Sequence, residues 1–254
     1  MILEAILGSL FAGLLTAVGG IPILFGKKIS TRWQDSLLGF SAGIMLSASF
    51  FSLLLPAIEL SQKSFSKEVA ITFVSLFFLG GGFLFLILDR LIPEDYFIKV
   101  LTEKEKSSLK KVWLFVSAIT LHNFPEGMSS ALGFMTGNIN QGITLALGIG
   151  IQNIPEGFAV ALALYLYGYS KLKAFKIALL TGLIEPIGGL FAVSIFYPFL
   201  DFLFIGFAFA SGAMLFVVIK EMIPEIQKKN FEVYASIGVL IGFIFMMILD
   251  IILS

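Results

Sequence analysis

Eight apolar segments, each about 20 residues long, make up most of this 254-residue chain. A helix of about 20 residues crosses the hydrocarbon core of a bilayer and satisfies its backbone hydrogen bonds internally. The pattern therefore predicts an all-α integral membrane protein, a single polytopic domain over residues 1–254 with eight transmembrane helices. The approximate limits of the segments are 3–25, 37–59, 69–92, 112–135, 142–168, 174–197, 201–220 and 231–253.

The composition agrees with a membrane location and excludes several classes of protein. The chain is 58% hydrophobic and only 13% charged, whereas a soluble domain is usually about a quarter charged. A net charge of zero excludes a strongly basic nucleic-acid binder, so no nucleic-acid partner is expected. The absence of Cys excludes disulfides and thiolate metal sites. Because no Lys or Arg precedes residue 27, the first segment is predicted to be a true span rather than a signal peptide.

The basic residues predict an orientation, because positively charged loops stay in the cytoplasm. Of the 17 Lys and Arg, only Lys63 and Lys67 lie in a connection that follows an even-numbered segment. Connections after odd-numbered segments are therefore predicted to be cytoplasmic, which places both termini outside. The long stretch 93–111, rich in Lys and Glu, is predicted to be a cytoplasmic loop between segments three and four.

Two copies of one polar motif interrupt segments four and five. Residues 122–127 read HNFPEG and residues 152–157 read QNIPEG. An ionisable side chain at membrane depth costs about 3 kcal/mol on insertion scales and usually marks a functional site. Because residues i and i+4 share a helix face, each motif places a carboxylate beside other polar groups. The side chains grouped in this way are His122, Asn123 and Glu126, and Gln152, Asn153 and Glu156.

Segment six adds another carboxylate, Glu185, beside Pro186 and at the depth estimated for the two motifs. Carboxylates in a low dielectric need positive partners unless they are protonated, and no Lys or Arg lies near the middle of any segment. A divalent cation is the natural counter-charge, because imidazole and carboxylates suit zinc, iron and manganese. Met45 is a weaker candidate ligand from segment two, where it also fits a core thioether.

Other interpretations of these side chains stay open from the sequence. The amides fit hydrogen bonds between helices, His122 fits a hydrogen-bonded interior histidine, and the carboxylates fit a metal-free proton relay. Glu221 and Glu225 lie at the predicted cytoplasmic end of segment seven, where they fit a solvated position or the lining of an exit path.

A second, weaker repeat links segments two and seven. Residues 42–46 read AGIML and residues 211–215 read SGAML, and each is followed by a proline, Pro56 or Pro224. Together with the twin motifs, this echo predicts an inverted repeat of three, two and three helices, a recurring plan of transporters with a site at the midplane. Packing of small residues in membrane helices is the alternative explanation of the echo.

The paired signatures resemble those of the ZIP (ZRT/IRT-like) family of divalent-metal transporters, and the resemblance to its bacterial zinc-uptake branch covers essentially the whole chain. It implies uptake of a divalent transition metal through the plasma membrane of a prokaryote, with zinc first and iron, manganese or cadmium as alternatives. It implies a transporter without a cofactor rather than an enzyme. The metal ligands that it implies are His122, Asn123, Glu126, Gln152, Asn153, Glu156 and Glu185, with Met45 as a weaker candidate.

The resemblance also implies that segments one, four, five and six move as a bundle against segments two, three, seven and eight. Gln152 departs from the family pattern, because many members carry His at this position. A His-rich loop, which many members also carry, is absent as well.

Two alternative functions are a membrane-embedded di-metal enzyme and a proton-coupled carrier of organic solutes. The small residues Gly80, Gly81 and Gly82 fit packing within one chain as well as between the protomers of a homodimer.

Overall fold

The computed structural model describes residues 1–26, 30–91, 103–227 and 232–253, and every regular element among them is helical. The fold is therefore all-α over the described chain, as predicted. Its helices are α1 (Ile2–Leu24), α2 (Thr31–Gln62), α3 (Lys67–Leu91), α4 (Glu103–Met135), α5 (Ile139–Tyr167), α6 (Lys171–Gly182), α7 (Ile184–Phe196), α8 (Leu203–Val217) and α9 (Glu232–Leu253).

Six helical stretches of the described chain are long and apolar enough to cross a membrane. This confirms a multi-pass membrane protein, whereas the count of eight crossings stays a prediction. Predicted segments six and seven fall within one of the six stretches, Lys171–Met222. Helix α4, which contains predicted segment four, is not among them, because His122, Asn123 and Glu126 lower its mean hydropathy.

The chain reverses direction inside the stretch Lys171–Met222. A short 3₁₀ turn, Tyr197–Phe202, separates α7 from α8, and Phe199 leaves helical geometry there, with φ −136° and ψ 56°. Glu185 at the start of α7 lies against Gly127 of α4. The Met214 sulfur of α8 lies 3.3 Å from the hydroxyl of Ser129, only two residues further along α4. Because both arms return to the same level of α4, they run antiparallel.

The predicted loop 93–111 is only partly covered by the structure. Residues 92–102 lie outside the described residues, and residues 103–111 form the first turns of α4. Helix α4 thus begins well before the predicted start of segment four at residue 112. The cytoplasmic location of this connection stays a prediction.

The two segments of the weak echo share one irregularity. Helix α2 contains a π-helical turn at Ala48–Leu54, and α8 continues into another at Val218–Met222, followed by the turn Ile223–Gln227. Each π turn ends two residues before a proline, Pro56 or Pro224. Proline has no backbone N–H to complete the regular ladder, and a wider turn accommodates the interruption. The shared irregularity supports a structural relation between α2 and α8.

Close backbone contacts divide the helices into two groups. The first group is α1, α4, α5, α6 and α7, and the second is α2, α3, α8 and α9. In the first, a Cβ on Gly157 of α5 would overlap the carbonyl oxygen of Thr16 of α1. In the second, a Cβ on Gly43 of α2 would overlap the carbonyl oxygen of Val239 of α9. One hydrophobic cluster, around Ile119 and Leu164, contains residues of the first group only.

Candidate metal site

All the predicted ligands lie in the interior of the helix assembly. The side chains of His122, Asn123, Glu126, Gln152, Asn153, Glu156 and Glu185 are each at most 3% exposed. Met45 is 1% exposed and belongs to the hydrophobic core. Its role as a ligand stays a prediction.

Hydrogen bonds connect the polar side chains of α4, α5 and α7, which the sequence predicts to lie at a common depth. The Gln152 side-chain amide of α5 donates to Glu126 Oε1 of α4 at 2.6 Å. The next residue, Asn153, donates to Glu185 Oε1 of α7 at 2.6 Å and to the carbonyl of Ala12 of α1 at 3.0 Å. The two motifs and Glu185 therefore form one cluster.

Glu185 reaches this cluster because the helix breaks directly before it. Leu183 separates α6 from α7, so Glu185 lies in the first turn of α7. The positive end of a helix dipole stabilises a carboxylate at this position. Gly127, within the first motif, lets the Glu185 backbone approach α4, because a Cβ there would overlap the Glu185 carbonyl oxygen. By contrast, α4 and α5 stay helical through Pro125 and Pro155, although proline has no backbone N–H for the helical ladder.

Ser41 joins the cluster from the second helix group and was not among the predicted residues. Its hydroxyl lies 2.8 Å from Glu156 Oε1 and 2.8 Å from the backbone carbonyl of Gln152. Ser41 is fully buried. No spacing signal in the sequence identifies it, because serine is common in the packed faces of membrane helices.

Glu221 also lies at the cluster rather than in a fully solvated position, which was one of the two possibilities left open by the sequence. One of its carboxylate oxygens is 3.5 Å from His122 Nε2, and its side chain is only 26% exposed. In the sequence this carboxylate is marked only by its position three residues before Pro224, which does not identify His122 as its partner. The side chain of Glu225 lies outside the described part of the structure.

In each of the three cluster glutamates, one carboxylate oxygen accepts a hydrogen bond and the other has no partner among the described residues. In Glu126, Glu156 and Glu185 a neutral side chain donates to Oε1, whereas Oε2 has no hydrogen-bond partner among the described residues. Buried polar atoms without partners are costly and call for a ligand or ion. Within the same described residues, His122 Nδ1 and the side-chain oxygens of Asn123, Gln152 and Asn153 also have no partner.

The electrostatics of the cluster favour a cation. Glu156 and Glu185 both lie close enough to Glu126 for their charges to act on it, and the buried residues of the described chain include no Lys or Arg. No group of three His, Asp or Glu side chains in the described ranges has metal-binding geometry. Amide oxygens would therefore have to complete a coordination shell, and a mixture of carboxylate, amide and imidazole donors is chemically suited to divalent metals.

A polar cavity of about 510 Å³ opens beside the predicted outer ends of α2 and α9. Glu59, Lys63, Gln141 and Asp250 contribute to its lining, and the Ser52 hydroxyl donates to Asp250 Oδ1 at 2.7 Å. Two acidic side chains, Glu59 and Asp250, thus lie at the surface of the helix assembly.

Comparison with known proteins gives consistent matches. The model of the ZIP zinc transporter family matches residues 99–250. The zinc transporter ZIPB of Bordetella bronchiseptica is 40% identical over 97% of this chain and 80% of its own length. The zinc transporter GufA of Myxococcus xanthus is 39% identical over 96% of this chain and 97% of its own length. The zinc transporter ZIP11 of Xenopus tropicalis is 33% identical over 98% and 97% of the two chains.

Proposed function

Because the chain belongs to the ZIP family of zinc transporters, we propose that it carries a divalent transition metal into the cytoplasm through the buried cluster. Zinc is the leading candidate for the transported metal, and iron, manganese and cadmium are further candidates. Membership of a transporter family confirms the prediction that the chain is not an enzyme, and it removes the di-metal enzyme as an alternative. It equally disfavours a carrier of organic solutes.

The free carboxylate oxygens are the observation on which the proposed site depends. Glu126, Glu156 and Glu185 each have an Oε2 without a hydrogen-bond partner among the described residues, and all three side chains are buried. Three negative charges in such an interior are strongly unfavourable without a cation. His122 and the amides of Asn123, Gln152 and Asn153 supply the remaining donors. A metal in this cluster would replace lost water ligands with protein oxygens and one imidazole.

The proposal includes a path on either side of the cluster. The cavity lined by Glu59, Asp250 and Lys63 would admit hydrated metal from outside, because its two carboxylates outnumber its one ammonium group and acidic side chains attract cations. Glu221, beside His122 and partly exposed, would receive the metal on the cytoplasmic side. The direction rests on the distribution of Lys and Arg, which predicts both termini outside.

The proposed movement is that of the first helix group against the second. The helices of the first group share close backbone contacts and have a hydrophobic cluster of their own. Contacts between the groups involve side chains, as where the Met246 thioether faces Gly148. The proposed topology has eight membrane crossings in an inverted repeat of three, two and three helices. The proposed location is the plasma membrane of a prokaryote.

Zinc uptake into proteoliposomes tests the site. Glu126→Ala and Glu156→Ala should each reduce the initial rate at least tenfold, because each removes a charged ligand from the buried cluster. Glu68→Ala is the matched control, since Glu68 is an exposed glutamate of α3 and its loss should leave uptake unchanged. Undiminished uptake by both cluster variants would exclude this site.

A further inference from the structure

The donors that hold the three carboxylates come from different helix groups. Gln152 and Asn153 of α5 hold Glu126 and Glu185, and all four residues belong to the first group. Glu156, also in the first group, is held instead by Ser41 of α2, in the second group. Of these three carboxylates, Glu156 is therefore the one whose hydrogen-bond partner lies across the boundary between the two groups.

We propose that Ser41 is a positioning residue that makes the metal affinity of Glu156 depend on the position of α5 relative to α2. The inference deepens the proposed function and rests on it. Ser41 would not touch the metal. It would hold Oε1 of Glu156 so that Oε2 faces the metal site.

The geometry supports a directional role for this hydroxyl. Ser41 is fully buried, and its oxygen is 2.8 Å from both Glu156 Oε1 and the Gln152 carbonyl. A hydroxyl has one proton to donate, and a carboxylate accepts it more strongly than a neutral carbonyl does. Groups that orient a ligand in this way typically contribute 10- to 100-fold to metal affinity.

A relative displacement of the two groups would break the bond from Ser41 to Glu156. It would leave intact the bonds that Glu126 and Glu185 accept. Gly43 packs α2 against α9, and Gly157 packs α5 against α1, so each helix is bound to its own group. A shift of one helical turn, about 5.4 Å, would carry Glu156 beyond the reach of Ser41. The bonds from Gln152 and Asn153 would move with their carboxylates. The metal would then be held strongly in the present arrangement and less strongly after the shift.

Substitutions of Ser41 in the full-length protein test the proposal with zinc as the probe. Ser41→Ala should raise the zinc Kd, measured by titration calorimetry in detergent, and the uptake KM by about tenfold, with little change in maximal rate. Ser41→Thr keeps the hydroxyl and should restore both values. Ser47→Ala is the matched control on the same helix, since Ser47 is also fully buried and its hydroxyl has no partner among the described residues.

A double-mutant cycle shows whether Ser41 acts through Glu156. In a Glu156→Gln background, Ser41→Ala should add little further loss of zinc binding. Thermal unfolding reports whether each variant is folded. An unchanged Kd in a folded Ser41→Ala protein, or additive losses in the cycle, would overturn the inference alone. A wild-type protein that neither binds nor transports zinc would overturn the proposed function as well.

Discussion

Gln152 marks the polar position at which the two motifs differ, because it occupies the place that His122 has in the first. Its amide nitrogen donates to Glu126, while its side-chain oxygen has no partner among the described residues. An amide oxygen is a harder ligand than imidazole, and imidazole favours zinc whereas oxygen ligands favour manganese. Gln152→His is therefore expected to increase the preference for zinc over manganese several-fold, measured by competition in uptake.

Gln152→Leu separates the loss of the amide from the gain of an imidazole. Leucine has a similar volume but leaves Glu126 Oε1 without its donor, so zinc uptake should fall with no gain in selectivity. If Gln152→His and Gln152→Leu showed the same ratio of zinc to manganese uptake, the difference between the motifs would not determine selectivity.

Helix packing depends on a few glycines at which two backbones touch. A Cβ on Gly157 would overlap the carbonyl oxygen of Thr16, a backbone atom that cannot rotate away. Gly157→Ala should therefore separate α5 from α1 and destabilise the protein by about 1–3 kcal/mol, the usual cost of overpacking. The unfolding temperature of the purified protein in detergent measures this effect, and zinc uptake should fall with it.

Gly80→Ala in α3 is the matched control for this prediction. A Cβ on Gly80 meets no heavy atom of the described residues within 4 Å, and alanine favours a helix over glycine. If Gly80→Ala and Gly157→Ala lowered the unfolding temperature and zinc uptake equally, the effect would come from reduced helix flexibility rather than from lost close packing.

The predicted orientation of the whole molecule rests on the distribution of 17 basic residues, and the absence of Cys makes it directly testable. Ser64 and Lys173 are both exposed and lie on opposite predicted sides. Ser64→Cys should react with a membrane-impermeant maleimide in intact cells, whereas Lys173→Cys should react only after permeabilisation. Labelling is measured by the mass shift of the purified protein. The opposite pattern would place the termini in the cytoplasm and reverse the proposed direction.

Much of the architecture and the membership of the cluster could be predicted, because both depend on local properties of the chain. Runs of apolar residues predict helices of membrane length, and spacing along a helix places His122 beside Glu126. The polar groups had to converge because isolated charges in an apolar interior are unfavourable. In the structure, hydrogen bonds run from Gln152 to Glu126 and from Asn153 to Glu185.

Other features depend on which distant backbones approach each other. The sequence by itself determined an all-helical membrane protein with the twin motif of a metal-transporter family, since hydropathy and helical spacing act over a few turns. Only the tertiary structure decided that Ser41 holds Glu156, that Glu221 lies beside His122, and that the helix breaks before Glu185. Ser41 and Glu156 are 115 residues apart in the chain, and the physical reason for their contact is the packing of α2 against α5.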